Sequence, residues 1–262
     1  MSKQQESIGR TLLVALLVCL VCSVVVSTAA VSLKPTQLVN RQLDKQRNIL
    51  AIAGLADPTA SGAEVQKIFA ERIKPRVVDL KTGQFTDAQD ATSFDPLVAA
   101  KDPALSDALP TEKDPAGIRR RERQSVVYLV EGDKGLETIL LPIRGYALWS
   151  TLHGFIALKN DLNTVVGLGF YQHAETPGLG GEIDNPRWKA LWPGKTVYDD
   201  SGKPVISVIK GSVDPNSAQA THQVDGLAGA TLTSKGVDQL VKYWLGPEGF
   251  GPFLANLRAG DK

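Results

Sequence analysis

From Thr11 to Leu33 the chain reads TLLVALLVCLVCSVVVSTAAVSL, 23 residues without a charge. Few folds accommodate such a run. As a helix rising about 1.5 Å per residue it spans roughly 34 Å, enough to cross a hydrocarbon core of about 30 Å. The competing reading is a cleaved signal peptide, for which Ser27-Thr28-Ala29-Ala30 offers the small residues. The run is long for the apolar part of a signal, which favours a retained anchor. Lys3, Glu6 and Arg10 precede it and Lys34 and Arg41 follow it, so basic charge barely decides orientation. Cys19 and Cys22 fall on one helix face as small apolar packing residues. Val18 and Val21 stand before them, where a lipidation signal needs a small residue.

These are the chain's two cysteines, which excludes disulfides and cysteine-ligated zinc or iron–sulfur clusters from the rest of it. The net charge is +1, so nothing steers the chain toward nucleic acid. With 43% hydrophobic residues, the remainder has the means to build a core.

Helical spacing is expected over Gln37–Ala53, continuing the anchor as a stalk. It recurs over Ser61–Ile73, with Ser61 as cap and Pro75 closing the helix. Val77–Leu80 reads as a short strand before a Thr82-Gly83 turn. Asp87–Asp114, rich in Asp, Ala and Pro, reads as a loop, and the basic run Arg119–Arg123 as a solvated face pairing with it. Strand-like segments follow at Ser125–Val130, Glu137–Leu141, Leu152–Leu158, Thr164–Tyr171 and Val205–Ile209. The first two are joined by Gly-Asp-Lys-Gly, the next two by Lys159-Asn160-Asp161. A last helix over Ser234–Leu245 buries Val237, Leu240, Val241 and Trp244, and Gly246-Pro247 stops it. The fold class is therefore α+β: one apolar helix, then one domain built on antiparallel hairpins with flanking helices.

Two segments are dense in turn residues. His173-Ala174-Glu175-Thr176-Pro177-Gly178-Leu179-Gly180-Gly181-Glu182 follows a strand, and its glycines let the backbone approach a flat ligand. His153 and His222 share no ligand spacing with His173 and Glu175, so no metal site is indicated. Neither a nucleophile elbow nor a Walker loop is present, and no catalytic constellation emerges. The second segment, VDGLAGATLTSKGV from Val224 to Val237, places Thr231 just before a helix N-terminus. Unpaired N–H groups and the positive end of the dipole gather there, which suits a phosphate. Thr233 or Ser234 is expected to cap that helix. Thr231 follows Gly229-Ala230, where little side-chain bulk shields its hydroxyl.

Asp225 to Thr233 resembles the flavin-attachment motif of the FMN-binding domain family, in which the FMN phosphate is joined to a threonine in S-G-A-T. Ala228 stands where the family has serine, while Asp225, Gly229, Ala230 and Thr231 match. The resemblance extends through Gly145–Ser150, Glu175–Glu182, Asn185-Pro186-Arg187-Trp188 and Gly246–Leu254. These are similar to the C subunits of the bacterial sodium-pumping NADH:quinone reductases. The G subunits of the ferredoxin-oxidising ion pumps share the two loops and are the alternative. An anchored module that has lost its flavin is a third reading, for which Ala228 is the hint.

The resemblance implies covalent FMN as a phosphoester on Thr231. It implies a protein that carries electrons within a membrane complex of six subunits coupling NADH oxidation and ubiquinone reduction to sodium export. It also implies maturation by a flavin transferase, and a single-pass protein of the cell inner membrane with its flavin domain in the periplasm. Trp149 and Leu179 are candidates to flank the ring, Glu175, Thr176 and Gly178 to reach its polar edge, and Lys235 to neutralise the phosphate. Gly229 and Ala230 supply clearance. The expected organisation is a cytoplasmic N-terminus and membrane helix over 1–33, a helical stalk and peripheral segment over 34–124, and the FMN-binding core over 125–262.

Overall fold

The apolar run forms the first part of one helix, α1 (Ile8–Ile52), which continues through Pro35 into the expected stalk. The computed structural model describes residues 7–57, 59–132 and 135–260. Lys3 and Glu6 of the head and Asp133-Lys134 of the expected turn lie outside the described residues. By internal contacts the chain divides into two units, Met1–Asp44 and Lys45–Lys262. In the first unit the large apolar side chains of α1 are exposed, from Ile8 to Val39. The helix is long and apolar enough to cross a membrane. A helix that is apolar all round and uncovered by protein needs lipid or a partner around it, which suggests membrane anchoring. The last turns of α1 belong to the second unit, where Ile49 and Leu50 are fully buried.

In that unit α2 (Gly62–Arg72) begins at Ser61, whose hydroxyl accepts the Glu64 amide at 3.3 Å. The helix stops at Arg72, one residue short of the expected Ile73, and the chain turns directly into β1 (Ile73–Asp79). Pro75, rather than closing the helix, lies within that strand. β2 (Gln84–Thr86) pairs only with Val77–Asp79, so Pro75 lies on a stretch of β1 with one open edge. A residue lacking a backbone donor is tolerated there.

The segment expected to be a loop carries short elements: α3 (Pro96–Ala99) and β3 (Ser106–Ala108), which pairs with β4 (Arg120–Glu122). The basic run divides. Arg123 Nε pairs with Asp107 of the acidic segment at 2.9 Å, as a solvated face would. Arg121 instead donates to the Glu248 carbonyl, and Glu122 is buried against Arg144. Alternation along β4 turns that carboxylate inward.

Four long strands follow: β5 (Gln124–Gly132), β6 (Gly135–Tyr146), β7 (Thr151–Lys159) and β8 (Val165–Gln172). The sheet is antiparallel throughout, in the order β2-β1-β5-β6-β7-β8. It reaches back past residue 125, the expected start of the core. β5 is buried from Ser125 to Val130, so both its edges need partners, and β1 fills the second along its whole length.

After β8 come α4 (Pro186–Lys189), the parallel pair β9 (Ser207–Val208) and β10 (Gln223–Val224), α5 (Thr231–Leu245) and α6 (Gly251–Ala259). α5 buries Val237, Leu240, Val241 and Trp244, the face its spacing marks. Each such aliphatic side chain contributes about 1.5–3 kcal/mol on leaving water. Trp244 Nε1 also donates to the Arg144 carbonyl at 2.6 Å, which pins α5 to β6.

Candidate functional site

α5 begins at Thr231 itself, three residues earlier than its apolar spacing indicates. Neither Thr233 nor Ser234 caps it. The Ser234 hydroxyl accepts the Leu227 amide at 2.9 Å and donates to the Ala230 carbonyl at 3.1 Å. The Thr233 hydroxyl donates to Glu175 Oε2 at 2.7 Å. Both side chains are buried. Ala230 is the N-cap residue, and no side chain among the described residues satisfies the first-turn amides. No acidic residue lies in that turn either. The positive end of a fifteen-residue helix thus keeps its first-turn amides uncapped, and the Glu175 carboxylate there meets the Thr233 hydroxyl.

Thr231 is exposed at this end. Ahead of it Gly229 has φ +72°, a left-handed conformation that glycine adopts without steric penalty. Lys235 is one turn further on, at i+4 from Thr231, so the two share a helix face. Both line a cleft of about 260 Å³ with Ser234, Gly226 and the Ile209-Lys210-Gly211 segment. Lys210 escapes notice in the sequence, since it lies 21 residues before Thr231 in an unremarkable stretch. Three hydrogen bonds donated by backbone amides bring it to the cleft. Ile209 N donates to Val224 O, Gly226 N to Gly211 O, and Val213 N to Asp225 Oδ1, at 2.9, 2.9 and 2.8 Å. Asp225 therefore serves the motif as a brace. Asp238, the acid in the cleft lining, is matched by Lys242 at 2.9 Å and accepts from the Ser207 hydroxyl and Val208 amide. Lys210 and Lys235 are left to set the sign of the cleft.

The glycine-rich segment approaches the same helix end. Gly180 has no room for a side chain, since a Cβ would stand 2.5 Å from Thr233 Oγ1 and 2.8 Å from Glu175 Oε2. Glu175 is buried, 4% exposed. Its Oε1 accepts the Trp149 and Ser150 amides at 2.9 and 3.2 Å. Leu179 lies against Gly229, with its Cδ2 within 3.2 Å of where a Cβ would be. The Thr176 carbonyl accepts from Leu179 N and Gly181 N, and Gly178 is exposed at φ +76°. Trp149 is 64% exposed, whereas Trp188, Trp192 and Trp244 are core residues. Leu179 and Leu232 are 45% and 57% exposed. His173 bonds to Asp184 through Nε2 at 2.7 Å and accepts the Glu175 amide through Nδ1. The structure thus gathers the candidate residues of both loops around the start of α5, and adds Lys210.

An exposed hydroxyl, two lysines, an uncapped helix end and an apolar rim form a donor set suited to a phosphate carrying a flat ring. The model of the FMN-binding domain family matches residues 147–246, which spans both loops and the cleft. Fold and site together define a flavin-binding domain borne on an apolar helix. The chain is 68% identical over 257 residues to the C subunit of the Na(+)-translocating NADH-quinone reductase of Pseudomonas aeruginosa, covering 98% of each. It is 51% identical to the protein of that name from Yersinia pestis, covering 98% of this chain and 96% of the relative. Its fold is similar to a crystal structure of Shewanella oneidensis NqrC, with a TM-score of 0.74 and 37% identity. That match covers 82% of this chain and 96% of the other. The chain belongs to the family formed by the C subunits of Na(+)-translocating NADH-quinone reductases.

Proposed function

We propose that this protein carries FMN as a phosphoester on Thr231 and passes electrons within a membrane NADH:quinone reductase that exports sodium. The observation that carries the reading is the cleft at the start of α5. There an exposed threonine lines the cleft with Lys210 and Lys235, beside first-turn amides that no side chain among the described residues caps. The bound flavin supplies the capacity to accept and release electrons singly or in pairs. The chain's own residues do the rest. Thr231 Oγ holds the phosphorus, the two lysines balance the phosphate charge, and Trp149 and Leu179 give the ring an apolar surface that excludes water. Gly178 and the Thr176 backbone border its polar edge.

The remaining features extend the resemblance. α1 anchors the protein as a single pass in the inner membrane, with the flavin domain in the periplasm, as one of six subunits. A flavin transferase reaches Thr231 because Gly229, Ala230 and the exposed Ala228 leave the hydroxyl open. At an exposed position, serine's missing hydroxyl leaves no buried polar atom unpaired. Ala228→Ser is therefore expected to load flavin as the wild type does.

Mass analysis of the tryptic peptide containing Thr231 tests the assignment. Wild-type peptide should carry the mass of FMN less water, and Thr231→Ala should carry none. Flavin that washes away on denaturation of the wild type would refute the covalent link.

A further inference from the structure

Glu175 is a buried acid with no cation paired to it among the described residues. A carboxylate in that position is tolerable only if hydrogen-bond donors surround it. They come from separate parts of the chain. Oε1 takes the Trp149 and Ser150 amides, and Oε2 takes the Thr233 hydroxyl. The Ser150 hydroxyl adds to the clasp by accepting the Ala174 amide at 2.8 Å. Gly180 keeps the space free for the Glu175–Thr233 contact. One carboxylate thus ties three segments: the loop bearing Trp149, the loop bearing Leu179, and the helix turn bearing Thr231. An acceptor-only group suits this place, because every neighbour it meets is a donor.

We infer that Glu175 is a positioning residue that fixes the distance between the Trp149 indole and the flavin tethered at Thr231. It acts through the backbone of the Trp149 loop and the first turn of α5, with its own oxygens turned inward. This rests on the reading that FMN is carried on Thr231. An indole beside an isoalloxazine quenches flavin fluorescence by electron transfer, which falls steeply with separation, so fluorescence lifetime reports that distance.

The test uses the full-length chain, co-expressed with a flavin transferase and purified in detergent. Trp149→Phe should lengthen the flavin lifetime severalfold. Glu175→Ala should retain FMN on the Thr231 peptide by mass, yet lengthen the lifetime to a similar degree. Glu175→Gln should stay near wild type, because its carbonyl can accept both amides while the Thr233 hydroxyl turns to accept from its NH2. In a Trp149→Phe background, Glu175→Ala should add little, the non-additivity expected of residues acting on one variable. A flavin-loaded Glu175→Ala protein with the wild-type lifetime overturns the inference. So does a Glu175→Ala effect as large without Trp149 as with it, or a Trp149→Phe protein with no change. If Glu175→Ala fails to fold or load, Thr233→Val deletes a single bond of the clasp and carries the same comparison. Absence of FMN from the wild-type Thr231 peptide instead overturns the reading beneath, and mass alone distinguishes that failure.

Discussion

The hydroxyl of Thr233 donates to Glu175 Oε2 at 2.7 Å, across 58 residues of chain, with both side chains buried. This contact joins the glycine-rich loop after β8 to the helix that begins at Thr231. Thr233→Val keeps the shape and removes the donor. A hydrogen bond to a charged group contributes about 1.5–3 kcal/mol, and a buried oxygen left short of a partner loses that much. The substitution should lower stability by about this amount, read as a lower melting temperature of the full chain in detergent.

A second buried charge is paired. Arg144 donates to the Glu122 carboxylate and, at 3.1 Å, to the Arg120 carbonyl, with both ionic side chains in the interior. Glu122→Ala should destabilise the protein by about 3–5 kcal/mol, because it strands a guanidinium away from water. Adding Arg144→Met should restore part of the loss, since the pair's own net contribution is small. Unfolding of the two single variants and the double variant measures this.

His153 lies opposite Arg144 in the β6–β7 register, with a buried Nδ1 that has no hydrogen-bond partner among the described residues. Burial, then the charges of Arg144 and Lys101, push its pKa down to about 4, against a smaller upward pull from Asp95. The unfolded chain takes up this proton near the ordinary 6.5, and the folded chain only near 4. Between those values the unfolded state binds more protons, so stability falls as pH is lowered through the window. Melting temperatures across it should show that slope, and His153→Gln should flatten it.

Lys210 lines the same cleft as Thr231 and is an exposed charge. Lys210→Gln should slow flavin loading, measured as the rate of mass gain on the Thr231 peptide with a flavin transferase. An exposed charge acts through a screened field, so the effect should be modest, about two- to fivefold, and should shrink as salt shortens the Debye length from about 10 Å at 0.1 M. Lys210→Arg should load normally.

Much of the antiparallel sheet is legible in the sequence because its long strands follow one another with alternating or continuous apolar runs. β1 is recognisable only in part, since Pro75 argues against a strand until its open edge is known. The start of α5 is misjudged because Thr233 and Ser234 look like caps. Hydroxyl side chains favour that role by local chemistry, and only burial shows both engaged elsewhere.

The sequence by itself determined the apolar helix, through 23 uncharged residues, and the identity of Thr231 as an unshielded hydroxyl beside a helix start. Both are properties of neighbours along the chain. Tertiary structure alone decided that Lys210 shares a cleft with Thr231, that Glu175 turns its oxygens inward, and that one tryptophan of four stays exposed. These depend on which distant segments meet when the sheet closes against α5. Periodicity and composition carry no record of that meeting, because each residue's type is compatible with several partners until packing selects one.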